Sequence, residues 1–243
     1  MIANGAMPPV LEIRDVEAAY GPFRALFDVS LKVESGEAVG LLGANGAGKT
    51  AVARVASGLV APSRGSVWVD GYDMSHQGTY KFARAGVAHA PEGRSVLSTF
   101  TVKENLELSF RRALGRRGMA DGLERAFELF PRLGERRNQV AGTLSGGEQR
   151  MLSLSRVLVE EPRLLIADEL SLGLAPIIVE EVYRTLESIR QSGTSLLIVE
   201  QQTTYALKLC DRIVFLKQGQ VDWEGPAEGA EEVVTSRLFD HGG

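Results

Sequence analysis

Residues 38–50 read AVGLLGANGAGKT. The first five are a short, continuous apolar run, the pattern of a strand buried on both faces in a parallel sheet. The next eight, Gly43-Ala44-Asn45-Gly46-Ala47-Gly48-Lys49-Thr50, match G-x-x-x-x-G-K-[ST]. Glycine at 43, 46 and 48 lets the backbone wrap around anionic oxygens with its N–H groups turned inward. A helix opening at Gly48 adds the positive end of its dipole. In such a loop Lys49 reaches the outer phosphates of a nucleotide, the Thr50 hydroxyl ligates Mg2+, and Ala44, Asn45, Ala47 and Ala51 offer backbone amides. The bland alternative is a glycine-rich turn that happens to carry a lysine. The strand before it and the helix pattern after it argue against that.

The flanking sequence extends the pattern. Residues 11–16 (LEIRDV), 29–33 (VSLKV) and 67–70 (VWVD) alternate apolar with polar, as half-exposed antiparallel strands do. Residues 164–167 (LLIA) and 196–199 (LLIV) are further buried parallel runs. Helical spacing occupies 49–58, 103–112, 122–130, 147–160, 176–191 and 203–209. Strands alternating with helices predict a parallel sheet with crossover helices. From about Thr101 to Val159 no strand pattern occurs, and Arg111, Arg112, Arg116 and Arg117 surround glycine breaks in a polar helical stretch. An all-helical insertion in an α/β core is the expectation. Gln218-Gly219 reads as a hairpin turn, and residues 1–9 and 225–243 carry little pattern.

Composition narrows the class. The 243 residues carry a net charge of −4 and a single cysteine, Cys210. One cysteine excludes a disulfide framework and a cysteine-based zinc site. No run approaches the ~18 apolar residues a membrane helix needs, and MIANGAMPPV has neither part of a signal peptide. A pI near 5.6 argues against a dedicated nucleic-acid surface. His76, His89 and His241 lack metal-ligand spacing and read as ordinary histidines. Glycine is in excess, 27 residues against a usual ~7%.

Two further strings carry chemistry. Leu164-Leu165-Ile166-Ala167-Asp168-Glu169 is a buried strand ending in two carboxylates. With a phosphate loop upstream, Asp168 holds Mg2+ opposite Thr50 and Glu169 accepts a proton from an attacking water. Without that loop, a solvated turn would be the usual reading. Leu144-Ser145-Gly146-Gly147-Glu148-Gln149 reads locally as a helix start, with Ser145 and Glu148 forming a capping box. That does not explain two glycines at the helix entry, each costing ~1 kcal/mol of helix propensity. Bare amides at a helix N-terminus suit a docking phosphate.

GANGAGKT, LSGGEQ and LLIADE, in that order, make the chain similar to the ATP-binding cassette ATPases from Leu11 to about Gly225. The resemblance implies an α/β phosphate-loop NTPase core of the RecA-like type, with an antiparallel β-subdomain and an inserted helical subdomain. It implies one ATPase domain over 10–243, with core at about 10–92 and 160–225, helices at about 93–159, and a tail at 1–9. The strings APEGR (90–94), FPRL (130–133), ERR (135–137), SLGLAP (171–176) and VEQ (199–201) resemble the smaller ATPase subunit of branched-chain amino acid importers, the LivF type. ATPases serving urea or amide uptake share several of these strings.

The resemblance also implies roles. Head-to-tail dimers would sandwich ATP, with the partner's Ser145, Gly146, Gly147 and Glu148 facing Gly43 to Thr50. Tyr20 matches the aromatic that stacks on adenine. Glu92 matches a position usually held by glutamine, beside Mg2+ or water, and Gln201 one usually held by a histidine on the γ-phosphate. Glu92 keeps an acceptor oxygen, and Gln201 keeps a donor but cannot become cationic. Ala51 stands where Ser or Thr is common, and Leu170 where Pro is common. The catalytic set is then Glu169, Lys49 and Gln201, the metal set Thr50, Asp168 and Glu92, and the cofactors ATP and Mg2+. Implied partners are membrane permease subunits, a second ATPase subunit and, indirectly, an extracytoplasmic solute-binding protein, but no nucleic acid. The implied location is peripheral, on the cytoplasmic face of the cell (inner) membrane. Three rivals are a soluble cassette protein acting on DNA or ribosomes, a regulatory subunit with a decayed site, and a phosphate-loop kinase. A single cassette without heptads disfavours the first, intact Lys49, Asp168 and Glu169 the second, and LSGGEQ the third.

Overall fold

The run AVGLL becomes one strand of a six-stranded sheet in a computed structural model that describes residues 7–91, 96–158 and 161–239. In chain order the elements are β1 (Leu11–Tyr20), β2 (Phe23–Val33), β3 (Ala38–Leu42), α1 (Lys49–Ala56), β4 (Arg64–Val69), β5 (Tyr72–Asp73), α2 (Thr79–Arg84) and β6 (Val87–Ala90). Then come α3 (Val102–Ala113), α4 (Gly115–Leu129), α5 (Pro131–Glu135), a 3-10 turn (Ala141–Thr143) and α6 (Gly146–Leu158). The remainder is β7 (Leu164–Asp168), α7 (Pro176–Gln191), β8 (Ser195–Glu200), α8 (Thr203–Leu209), β9 (Arg212–Lys217), β10 (Gln220–Pro226) and α9 (Glu231–Phe239). The chain divides into two compact units. The first runs to His89 and adds Arg163–Asp168 and everything from Ile189 onward; the second holds Ala90–Pro162 and Glu169–Ser188.

The first unit contains both sheets. The large sheet has the order β10-β9-β3-β8-β7-β6, with β9, β3, β8 and β7 mutually parallel. Every residue of β3, β7 and β8 is buried, which is why these strands read as unbroken apolar runs. The second sheet, β2-β1-β4-β5, is antiparallel. β1 runs past the expected end at Val16 because a bulge resets its alternation: Asp15 has φ 49 and the register shifts between Ile13 and Val16. Helix α1 supplies Val52, Ala53 and Val55 to a core shared with Val16 and Leu26 on one side and Ile166, Leu197 and Val199 on the other.

The hairpin forms where the sequence places it. Gln218 (φ 50) and Gly219 (φ 77) take the left-handed conformations of a tight two-residue turn. That turn also supports the phosphate loop, since the Gly219 N–H donates to the Ala47 carbonyl at 2.8 Å. The tail departs from expectation. Residues 231–239 form α9, with Val234 fully buried and the Arg237 guanidinium 2.8 Å from Asp222. One buried side chain, Val234, among the described side chains of 231–238 is too sparse a stripe to show in sequence.

The second unit is helical among its described residues, apart from the isolated bridge Thr101–Val140. Val102, Leu106 and Phe110 are fully buried at four-residue spacing on α3, which packs against α4 and α6. Thr101 and Glu104 cap that helix reciprocally. Gly115, with φ 70, breaks α3 from α4, and α4 begins earlier than its apolar spacing suggests.

Candidate nucleotide site

The phosphate loop links β3 to α1, and its glycines are not equivalent. A Cβ on Gly43 would stand 2.4 Å from the Leu216 carbonyl oxygen, so the close approach to β9 requires glycine. Gly48 caps α1 without a side chain at φ 103, and a Cβ there would meet the Ala25 carbonyl oxygen at 2.9 Å. Asn45 and Gly46 form the exposed tip. Lys49 is 3% exposed and its Nζ donates to the carbonyls of Gly43 (3.0 Å) and Ala44 (3.1 Å). The ammonium therefore lies inside the curl of the loop. Ala51 is buried in the first turn, where a small side chain fits.

Asp168 ends β7, is 1% exposed, and its Oδ1 accepts from the Thr50 hydroxyl at 3.4 Å. A hydroxyl and a carboxylate at a buried strand end are hard oxygen donors of the kind Mg2+ takes, so these residues fit that ion. Among the described residues no group of three or more His, Cys, Asp or Glu forms a full protein cage. An ion here would complete its shell with phosphate and water, which is the usual habit of Mg2+.

Behind Asp168 lies His89 on β6. Its Nδ1 is 3.0 Å from Ser57 Oγ and its Nε2 is 3.9 Å from Asp168 Oδ2. Burial, with a smaller contribution from the Arg54 charge, pushes the His89 pKa down to about 4, so the ring is neutral near pH 7. Neither His89 nor Ser57 was signalled by the sequence, because their link crosses from β6 to the residue that caps the C-terminus of α1 and carries no fixed spacing.

Register aligns the remaining groups of this unit. Leu42 pairs with Glu200 and Asp168 with Val199, so the C-terminal ends of β3, β8 and β7 share one edge. Ligands of open α/β sheets bind at such an edge. Gln201 follows β8 directly and is exposed there. Tyr20, at the end of β1, is 39% exposed, and the Arg54 guanidinium carbon lies 5.8 Å from its ring centre.

The helical unit carries the other candidates. Ser145 and Glu148 form the expected capping box. The Ser145 N–H and hydroxyl donate to Glu148 Oε2 at 2.9 and 2.8 Å, and the Glu148 N–H donates back at 3.3 Å. Arg136 Nε lies 2.8 Å from Glu148 Oε1. Burial works against the Glu148 charge, but the Ser145 hydrogen bonds, with Arg136 and Arg132, hold its carboxyl below the usual 4.5. A Cβ on Gly147 would come within 2.8 Å of Ile178 Cγ2, so that glycine also has a packing reason. Gly146 opens α6. Glu169 has φ 47, a strained value for a side-chain-bearing residue. Arg150, 4% exposed and unsuspected from sequence, holds it there: its guanidinium donates to the Glu169 carbonyl (2.9 Å) and the Pro91 carbonyl (3.0 Å). Leu170 buries its side chain, which gives an apolar residue at that position a reason. Glu92 and His241 lie outside the described residues.

The ABC transporter family model matches residues 26–171. The chain is 41% identical over 217 residues to the high-affinity branched-chain amino acid transport ATP-binding protein BraG of Pseudomonas aeruginosa, spanning 87% of this chain and 91% of that one. It is 32% identical over 232 residues to the lipopolysaccharide export system ATP-binding protein LptB of Escherichia coli K12, spanning 94% and 96%. In structure it resembles a nucleotide-free ATP-binding cassette from an ABC transporter, with a TM-score of 0.82, 23% identity, and 94% and 96% of the two chains covered. The chain belongs to the ABC transporter family, as an ATP-binding subunit that hydrolyses ATP.

Proposed function

We propose that this subunit powers import of branched-chain amino acids. The observation that carries the reading is the 41% identity to BraG across nearly the full length of both chains. Its identity to the exporter subunit LptB is lower, at 32%.

In this reading the loop amides and Lys49 hold the β- and γ-phosphates, and Tyr20 stacks on adenine. Thr50 and Asp168, with Glu92, would hold Mg2+, which would neutralise phosphate charge. Glu169 orients a water and takes its proton as the water oxygen bonds to the γ-phosphorus and the bridging bond to ADP breaks. Gln201 donates an amide N–H to the γ-phosphate from the adjacent strand end. Ser145, Gly146 and Gly147 of a second ATPase subunit close over the same phosphate, the α6 N-terminus giving amides and a positive dipole end. Binding of ATP closes the pair, and hydrolysis opens it. Permease subunits convert that motion to transport, a solute-binding protein delivers the amino acid, and the ATPase sits on the cytoplasmic face of the membrane.

Proteoliposomes containing this chain, its co-purifying permease partners and an associated solute receptor test the solute. The expected result is ATP-dependent uptake of leucine, isoleucine or valine, abolished by Lys49→Ala. Transport of urea or an amide, or outward movement of a lipid substrate, contradicts the assignment.

A further inference from the structure

Ala120, Leu123, Glu124 and Phe127 recur at three- and four-residue spacing, so they share one face of α4. Another face of the helix is in the core, where Gly122 and Ala126 are buried. The first face instead lines a cleft of about 400 Å³ within the helical unit. Small-molecule pockets occupy roughly 300–1,000 Å³. Lys103, Arg137 and Asn138 complete the lining. Backbone hydrogen bonds hold that part in place: the Lys103 N–H donates to the Arg137 carbonyl at 2.9 Å, and the Val102 N–H to the Gln139 carbonyl at 3.0 Å. On α4, Phe127 packs against α5, where a Cβ on Gly134 would stand 3.3 Å from the Phe127 Cβ. Both sides are therefore built before a ligand arrives, which lowers the ordering cost of binding.

The chemistry of the lining has three parts. Leu123 and Phe127 are apolar and half-buried. Arg137 and Glu124 are exposed, opposite charges on one cleft, yet among the described residues neither forms an ion pair or a side-chain hydrogen bond. Lys103 is matched by Glu107, 3.5 Å away and one turn along α3. The cleft thus offers one unmatched cation, one unmatched anion and an apolar surface. A fatty acid would satisfy the guanidinium and leave Glu124 without a counter-charge. An alkylamine would do the reverse. A zwitterion with a hydrocarbon side chain satisfies all three parts.

We propose that this cleft is a binding site for a free α-amino acid with an aliphatic side chain. The amino acid carboxylate takes the Arg137 guanidinium, whose planar fork suits two parallel N–H···O bonds. Its ammonium donates to the Glu124 carboxylate. Its side chain lies on Leu123 and Phe127, and the apolar area removed from water there favours leucine, isoleucine and valine over glycine. None of these residues belongs to the nucleotide site. The inference goes beyond the import reading, which adds only a reason for the chain to meet such a molecule.

Calorimetric titration of the purified full chain with L-leucine, without nucleotide, tests this. The expected result is saturable binding of one leucine with a Kd of about 1 mM or tighter. 4-Methylpentanoate, which lacks the ammonium, and 3-methylbutylamine, which lacks the carboxylate, are each expected to bind at least about tenfold more weakly, the usual scale for losing a hydrogen bond to a charged group. Arg137→Gln and Glu124→Gln are each expected to weaken leucine binding by the same factor while leaving ATP binding unchanged, which also shows that the variants fold. Absence of saturable leucine binding overturns the proposal. So does unchanged affinity in either variant, or 4-methylpentanoate binding as tightly as leucine. N-Acetyl-leucinamide competing as well as leucine would assign the cleft to a polypeptide segment and overturn it too. Leucine binding without leucine uptake in proteoliposomes removes the import reading and leaves this inference standing, whereas uptake without binding to the chain alone does the reverse.

Discussion

A methyl group at Gly48 would have to share space with the Ala25 carbonyl oxygen at 2.9 Å and adopt φ 103, whereas one at Gly46 would meet nothing within 4 Å. Gly48→Ala is therefore expected to cost more stability than Gly46→Ala, with each paying about 1 kcal/mol for its left-handed backbone. Urea denaturation of the two variants measures the difference, and equal midpoints would contradict the geometry. The loop was legible residue by residue because glycine, lysine and threonine at fixed intervals are a local signal. His89, Ser57 and Arg150 were not, since their partners lie on other elements and a lone histidine or arginine in sequence looks like any other. Leu170 lacked an explanation in sequence because its burial shows only in the folded chain.

At the scale of the element, the capping box on α6 links local stability to pH. Glu148 has its folded pKa held below 4.5, so its contribution is complete above 4.5 and fades as pH falls through the lower folded value. Glu148→Ala is expected to destabilise the protein by about 1 kcal/mol at neutral pH. The gap between the two proteins should shrink on acidification below the unfolded value. Denaturant titrations across that range read the effect, and a gap that widens in acid would contradict the assignment. Long strongly patterned elements such as β3, β7, β8 and α7 were legible because full burial or regular spacing leaves a clear trace. The four-residue β6 and six-residue α2 are too short to show a period. The sparse apolar stripe of α9 hid it too, and the bulge at Asp15 broke the alternation that would have extended β1.

On the scale of the whole molecule, five of the 27 glycines, at 43, 46, 48, 146 and 147, fall in the two strings assigned to phosphate. Packing accounts for part of that placement, at Gly43 against Leu216 and at Gly147 against Ile178. Among the described residues no helix is long and apolar enough to cross a membrane. In the proposed import role, permease subunits are assigned the membrane-spanning path. Hydrolysis is the step on which that role depends, and Glu169, directly after the buried strand β7, is the residue assigned to it. Phosphate release by the purified chain and by Glu169→Gln, each paired with an ATP-binding titration, tests this most directly. The account predicts that the variant binds ATP as the unaltered protein does and releases phosphate at least ~100-fold more slowly, the usual scale for loss of a positioned base. Undiminished turnover in Glu169→Gln would contradict it.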